Sequence, residues 1–173
     1  MTDSPRIQEL RRRIQLDPAS LAFAPLAEEL RRAARLGEAV QTCRAGLSLH
    51  PEYATARATL GRALLDQGEL DAALGELTTV LAAAPEHLAA LKGVAEIHAR
   101  RGDAIEALAT YRRAQLLARE DAELARAIAA LEQALTPSQA AVPVSPQEGQ
   151  SAMVVRRLEQ FLDRIVADRD RRG

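Results

Sequence analysis

The chain has 173 residues, a formal net charge of −1, and a composition that is 47% hydrophobic but only 2% aromatic. Ala and Leu supply roughly a third of it, a bias that favours helix and starves a sheet of β-branched and aromatic residues. The balanced charge excludes a large positive field for a polyphosphate backbone, so no nucleic-acid partner is expected, and the single cysteine, Cys43, excludes an intramolecular disulfide or a Cys-rich zinc site. Met1 to Arg6 carries no apolar stretch behind its charge, and no run of apolar residues is long enough to span a bilayer. We therefore expect neither a signal peptide nor a membrane span, with a cytoplasmic location as the default.

In chain order, Ser4-Pro5 predicts a helix start, with proline at the first helical position where its missing N–H is harmless. Ile7, Leu10 and Ile14 mark one apolar face, which ends before Asp17-Pro18. This segment, 1–19, is read as an N-terminal cap. Pro18, Pro51 and Pro85 then recur at intervals of 33 and 34, and Gly68 and Gly102, like Ala39, Ala73 and Ala107, at 34. Three consecutive blocks follow: 20–53, 54–87 and 88–121. The seventh place of each block holds Leu26, Leu60 and Val94, and the eighth the small residues Ala27, Gly61 and Ala95.

Each block divides into two helices. In the second, Ala56 to Gln67 carries Leu60, Leu64 and Leu65 at helical spacing, and Gly68 stops it through a left-handed cap. Asp71 to Ala84 follows with Leu74, Leu77, Val80 and Leu81 on one face, until Pro85 ends it. The small residues Gly61 and Ala73 let the two backbones approach closely. One such hairpin cannot bury its own apolar face, so it stacks on its neighbours.

Leu60-Gly61, Gly68, Ala73, Leu77 and Pro85 resemble the pattern of the tetratricopeptide repeat family. Departures are Arg57 and Leu91 in place of the early aromatic, Ala34 in place of the first turn glycine, and Arg119 in place of the third closing proline. Pentatricopeptide repeats, which bind RNA, are disfavoured by their longer period and by the near-neutral charge. The resemblance covers about 20–135 and implies an all-α fold: three hairpin repeats with capping helices in a short right-handed superhelix.

Asp121 to Leu135 places Leu124, Ile128, Leu131 and Leu135 at spacings of three and four, and 122–135 is read as a C-terminal capping helix. Residues 136–151, rich in Pro, Ser and Gln, read as a flexible linker that reaches about 50 Å when extended. Residues 152–173 read as an amphipathic helix with Val155, Leu158, Phe161, Leu162 and Ile165 on its apolar face. An isolated helix of this length is marginal in water, so the stripe calls for a partner surface. Its own repeat groove, a second copy, another protein and a lipid surface all fit, the last weakened by the acidic residues among the arginines.

Residues suited to catalysis are few. His50 precedes Pro51 at a helix end, His87 lies in the turn after Pro85, and His98 fills a packing column. The first two are placed to cap helix-end carbonyls. Cys43 stands at the twenty-fourth repeat place, where a buried thiol acts as a small hydrophobe. The adjacent pairs Glu28-Glu29 and Glu120-Asp121 do not face one another on a helix. No phosphate loop, nucleophile elbow or metal-binding histidine pair is present. We expect no enzyme activity, no cofactor and no metal.

What remains is a binding surface. The resemblance implies that the first helix of each repeat lines a concave groove through its second, fifth, ninth and twelfth places. Here those places are Leu21, Ala24, Glu28 and Arg31, then Thr55, Ala58, Arg62 and Leu65, then Ala89, Lys92, Glu96 and Ala99. The small residues leave room for an extended or helical ligand. Arg31, Arg62 and Lys92 offer charge-assisted hydrogen bonds to carboxylates, with Glu28, Leu65 and Glu96 completing the expected site. Chaperone-binding members of the family clamp a C-terminal carboxylate with Lys, Asn and Arg, but the matching places here hold Ala24, Glu28, Thr59, Ala89 and Gly93. The expectation is a non-enzymatic adaptor for a peptide or helix of another protein. The alternative is an assembly protein whose tail helix drives self-association. The Arg-over-Lys preference and Ala richness point to a GC-rich bacterial source.

Overall fold

The computed structural model describes residues 3–136, which form eight α-helices and no strand. The expected linker and the tail face of Val155, Leu158, Phe161, Leu162 and Ile165 lie outside the described residues. The helices are α1 (Pro5–Leu16), α2 (Phe23–Arg32), α3 (Leu36–Leu49), α4 (Ala54–Gln67), α5 (Leu70–Ala83), α6 (Leu88–Arg101), α7 (Ala104–Leu117) and α8 (Ala122–Leu135).

Local chemistry sets the helix ends. The backbone N–H of Ile7 donates to Ser4 Oγ at 3.3 Å, and Pro5 opens α1. Asp121 Oδ1 accepts from the N–H groups of Glu123 and Leu124, at 2.9 and 3.2 Å, at the start of α8. The three hairpin turns share one pattern: Gly68 donates to Leu65 and Glu69 to Leu64, Gly102 to Ala99 and Asp103 to His98, and Ala34 to Arg31 and Arg35 to Leu30. This bond pair needs a left-handed residue after the helix. Gly68 and Gly102 adopt it at φ 86° and 84°, and Ala34 is forced into it at φ 58°. Ala34 thus fills the glycine's place at a conformational cost, because its Cβ crowds the following carbonyl.

Packing follows chain order. α2 lies on α3, α4 on α5 and α6 on α7, while each second helix also meets the first helix of the next repeat. α2, α4 and α6 additionally touch in series, so the first helices form one continuous face. α1 packs on α2, and α8 on α7. One apolar core runs from Ile7 and Leu10 through Leu30, Leu65 and Leu77 to Ile97, with a smaller one around Leu91, Ala114 and Leu124. The approach of α4 and α5 is as close as Gly61 and Ala73 suggest: a Cβ on Gly61 would lie 2.6 Å from Leu77 Cγ. Leu77 also reaches the next repeat, where a Cβ on Gly93 would meet its Cδ1 at 2.7 Å.

Candidate partner-binding groove

The face made by α2, α4 and α6 carries a cleft of about 460 Å³, walled by Ala24, Pro25, Glu28, Tyr53, Thr55, Ala58, Thr59, Arg62, His87 and Ala89. Its floor is apolar because Ala24 and Ala58 are small and buried. Tyr53 stands at its rim, with its ring 5.8 Å from Phe23 in an edge-to-face pair. A second, smaller cleft of about 100 Å³ lies beside it, bounded by Arg62, Lys92, Gly93, Glu96, Tyr111, Glu123, Leu124 and Ala127. Arg62 borders both.

The six residues expected in the groove separate into three environments. Arg31 is an internal strut: it is only 14% exposed, and it meets Glu28 at 3.0 Å and Asp66 of the next repeat at 2.6 Å. Its guanidinium is held more basic than usual, first by the Glu28 hydrogen bond, against desolvation, and then by Asp66. Burial pushes the Glu28 carboxyl up, but the Arg31 hydrogen bond and the charges of Arg31, Arg62 and Arg32 outweigh it, and the net shift is downward. Lys92 is likewise committed, to Asp121 at 3.1 Å and Glu123 at 2.7 Å, which ties α6 to α8. Desolvation opposes its charge, yet these two carboxylates leave its pKa raised. Glu96 pairs with Arg100.

Leu65 is buried at 2% exposure and belongs to the core, not to the groove surface, because its helix turns that face toward the neighbouring repeat. Arg62 is the remaining cation. It is half-buried, and among the described residues it makes no hydrogen bond or ion pair, although its charge is felt at Glu28 and Glu123.

Sequence reasoning passed over the residues that consume the other cations, namely Asp66, Asp121 and Glu123. One signal was available: Asp66 follows the place of Arg31 by one repeat plus one residue, the offset at which adjacent first helices lie side by side. Tyr53 and Tyr111 were also missed as cleft walls. A further cleft of about 440 Å³ lies away from this face, between α1, α2 and α3, with Ile14, Phe23, Leu26 and Leu49 in its walls.

The histidines and the cysteine take structural places. His50 Nε2 donates to the Ala19 carbonyl at 2.7 Å, and its ring stacks on Phe23 with centroids 6.0 Å apart. His87 departs from the expected carbonyl cap: its Nδ1 accepts from the Ala90 N–H at 3.3 Å, so it caps the start of α6. His98 Nδ1 lies 3.5 Å from Asp103 at the α6–α7 turn. Cys43 is buried, and desolvation, then the charges of Glu28 and Glu76, push its thiol up to about 12, so thiolate chemistry is suppressed. Among the described residues, no three His, Cys, Asp or Glu side chains gather as a metal cage, and no helix is long and apolar enough to cross a membrane.

Comparison with known proteins agrees with this fold. Two tetratricopeptide repeat models match the chain, at residues 58–123 and 30–80. Among solved structures it is similar to MamA (41-end) of Desulfovibrio magneticus, at 18% identity and TM-score 0.64, covering 74% of this chain and 73% of that one. A thermophilic TPR protein of Thermus thermophilus matches at 22% identity and TM-score 0.64, covering 73% and 71%. The first TPR of Spaghetti (RPAP3), bound to the HSP90 peptide SRMEEVD, matches at 15% identity and TM-score 0.61, covering 79% and 98%. A comparison with curated protein sequences found no match. At these identities the structural likenesses concern the fold, whereas the repeat models match the residues themselves. The chain belongs to the tetratricopeptide repeat family.

Proposed function

We propose that the protein is a non-enzymatic interaction scaffold that takes up a peptide or helix of a partner protein on the face formed by α2, α4 and α6. The observation that carries this reading is the apolar-floored cleft on that face, about 460 Å³ in volume and ringed by Tyr53, Arg62 and His87. Such a cleft buries one or two side chains of a ligand, while the polar rim fixes its register. A likeness in fold to a domain bound to an HSP90 peptide supports peptide uptake by an array of this kind. The ligand itself differs, because Ala24, Glu28, Thr59, Ala89 and Gly93 stand where chaperone-tail receptors carry their clamp.

The test is capture of partners from source lysate with full-length protein, followed by titration of the purified partner against wild type and Ala89→Trp. Ala89 is a partly exposed cleft wall, so the indole fills the cleft while the core stays intact. The expected result is at least a tenfold loss of affinity at an unchanged unfolding midpoint. Unchanged affinity would move the partner site off this face.

A further inference from the structure

Two polar groups in the smaller cleft have no partner among the described residues: there Arg62, on α4, makes no hydrogen bond or ion pair, and the half-buried Tyr111, on α7, makes no hydrogen bond through its hydroxyl. Both side chains line the same space of about 100 Å³. Every carboxylate bordering it is already engaged: Glu96 with Arg100, and Glu123 with Lys92. Arg62 and Tyr111 therefore bring to the cleft five guanidinium N–H groups and one phenol O–H that no acceptor among the described residues takes up. A partly desolvated guanidinium gains most from a planar, bidentate acceptor.

We propose that this cleft is a carboxylate subsite: the partner peptide places one carboxylate against Arg62 and Tyr111 and an adjacent apolar side chain in the larger cleft. Arg62 borders both spaces, so it sets the register between the two. The subsite rests on the groove reading above. It is distinct from the chaperone-type clamp, since neither Arg62 nor Tyr111 stands at a clamp place. An Asp or Glu side chain and a free C-terminus offer the same chemistry.

The test uses full-length protein and random-peptide libraries displayed with free and with blocked C-termini. Selected peptides are synthesised and titrated against wild type, Arg62→Gln, Tyr111→Phe and Ala89→Trp. The expected result is that selected peptides share an acidic residue or require a free C-terminus beside an apolar residue. Arg62→Gln then weakens them by roughly tenfold to a hundredfold and Tyr111→Phe by a few-fold, with unfolding midpoints unchanged. The loss from Arg62→Gln shrinks as salt rises. Amidating the peptide terminus or replacing its Glu by Gln identifies the source of the carboxylate. Peptides displaced by Ala89→Trp but indifferent to Arg62→Gln overturn the subsite and leave the groove standing. A library that yields no peptide, or only peptides indifferent to Ala89→Trp, overturns both.

Discussion

In the first repeat the bulky side chain belongs to the first helix and the gap to the second: the ring of Phe23 on α2 covers Gly46 on α3, where a Cβ would fall 2.0 to 2.3 Å from three ring carbons. In the second repeat a different pair of places makes the tight fit, since Leu77 on α5, at the twenty-fourth place, enters the space beside Gly61 on α4, at the eighth, and extends to Gly93 on α6. The fourth places hold Phe23, Arg57 and Leu91, and the twenty-seventh places opposite hold Gly46, Val80 and Ala114. Phe23 with Gly46 and Leu91 with Ala114 thus trade volume between facing helices, because a close-packed interior constrains the volume of a pair more tightly than either member, whereas Arg57 turns to Glu76 and the Pro51 carbonyl. The two seams are not equal. Leu77 is fully buried and packs across two repeats, whereas Phe23 borders the open cleft beside α1.

Truncation gives the largest contrast. Leu77→Ala is expected to cost about 4 kcal/mol and Phe23→Ala about 3 kcal/mol in urea unfolding, because water enters the Phe23 site while the Leu77 site is left as a void. A larger loss at Phe23 would reverse the ranking of the seams. The glycines sharpen it from the other side. Gly46→Ala is expected to cost about 3 kcal/mol because a rigid ring must move, and Gly61→Ala about 1 to 2 kcal/mol because the ends of Leu77 can rotate away. In a Leu77→Ala background the Gly61→Ala penalty should fall by about 1 kcal/mol or more, and the Gly46→Ala penalty should persist. Equal coupling of both glycines to Leu77 would mean that the two seams are one.

The turns differ in the same direction as the seams. Ala34→Gly is expected to stabilise the array by about 0.5 to 1 kcal/mol, through relief of the left-handed alanine less the added freedom of glycine in the unfolded chain. Gly68→Ala and Gly102→Ala are expected to destabilise by about 1 kcal/mol each. A loss on Ala34→Gly would show that the alanine methyl contributes packing that outweighs its backbone cost.

The smallest effect is the pH response of the two ends. At the first repeat, the Arg35 hydrogen bond is the leading cause that lowers the Asp3 and Glu38 carboxyls. At the last, the Leu124 N–H and then Lys92 lower Asp121, and Lys92 lowers Glu123. Depressed folded-state values stabilise above the unfolded values, near about 4, and that contribution disappears as pH falls through the folded ones. The unfolding midpoint should thus be flat from neutral pH to about 5 and fall below about 4. Asp121→Asn should reduce the slope of that fall, and an unchanged slope would assign it to the other carboxylates.

The array was legible in the sequence because its signals are local or periodic. Gly68 and Gly102 end helices where the spacing puts them, Ser4-Pro5 starts one, and Gly61 with Ala73 marks a close approach that the structure contains. The cleft was legible only in outline. The face was identified with its small residues, yet Leu65 belongs to the core, and Arg31 and Lys92 serve as struts. His87 shows the same limit at a single residue, since whether it caps a carbonyl or an N–H depends on the turn geometry around it.

The sequence by itself determined the helical class, the 34-residue period and the helix ends at Ser4-Pro5, Gly68 and Gly102, because those follow from propensity, apolar spacing and turn residues that act within a few positions of themselves. Only the tertiary structure decided which cations are free. Arg31 and Arg62 stand near one another in the repeat pattern and carry the same charge, but the first meets Asp66 at 2.6 Å and the second has no acceptor among the described residues. A charged group's availability depends on partners brought within about 3 Å by distant segments, and that distance is a property of the packed array.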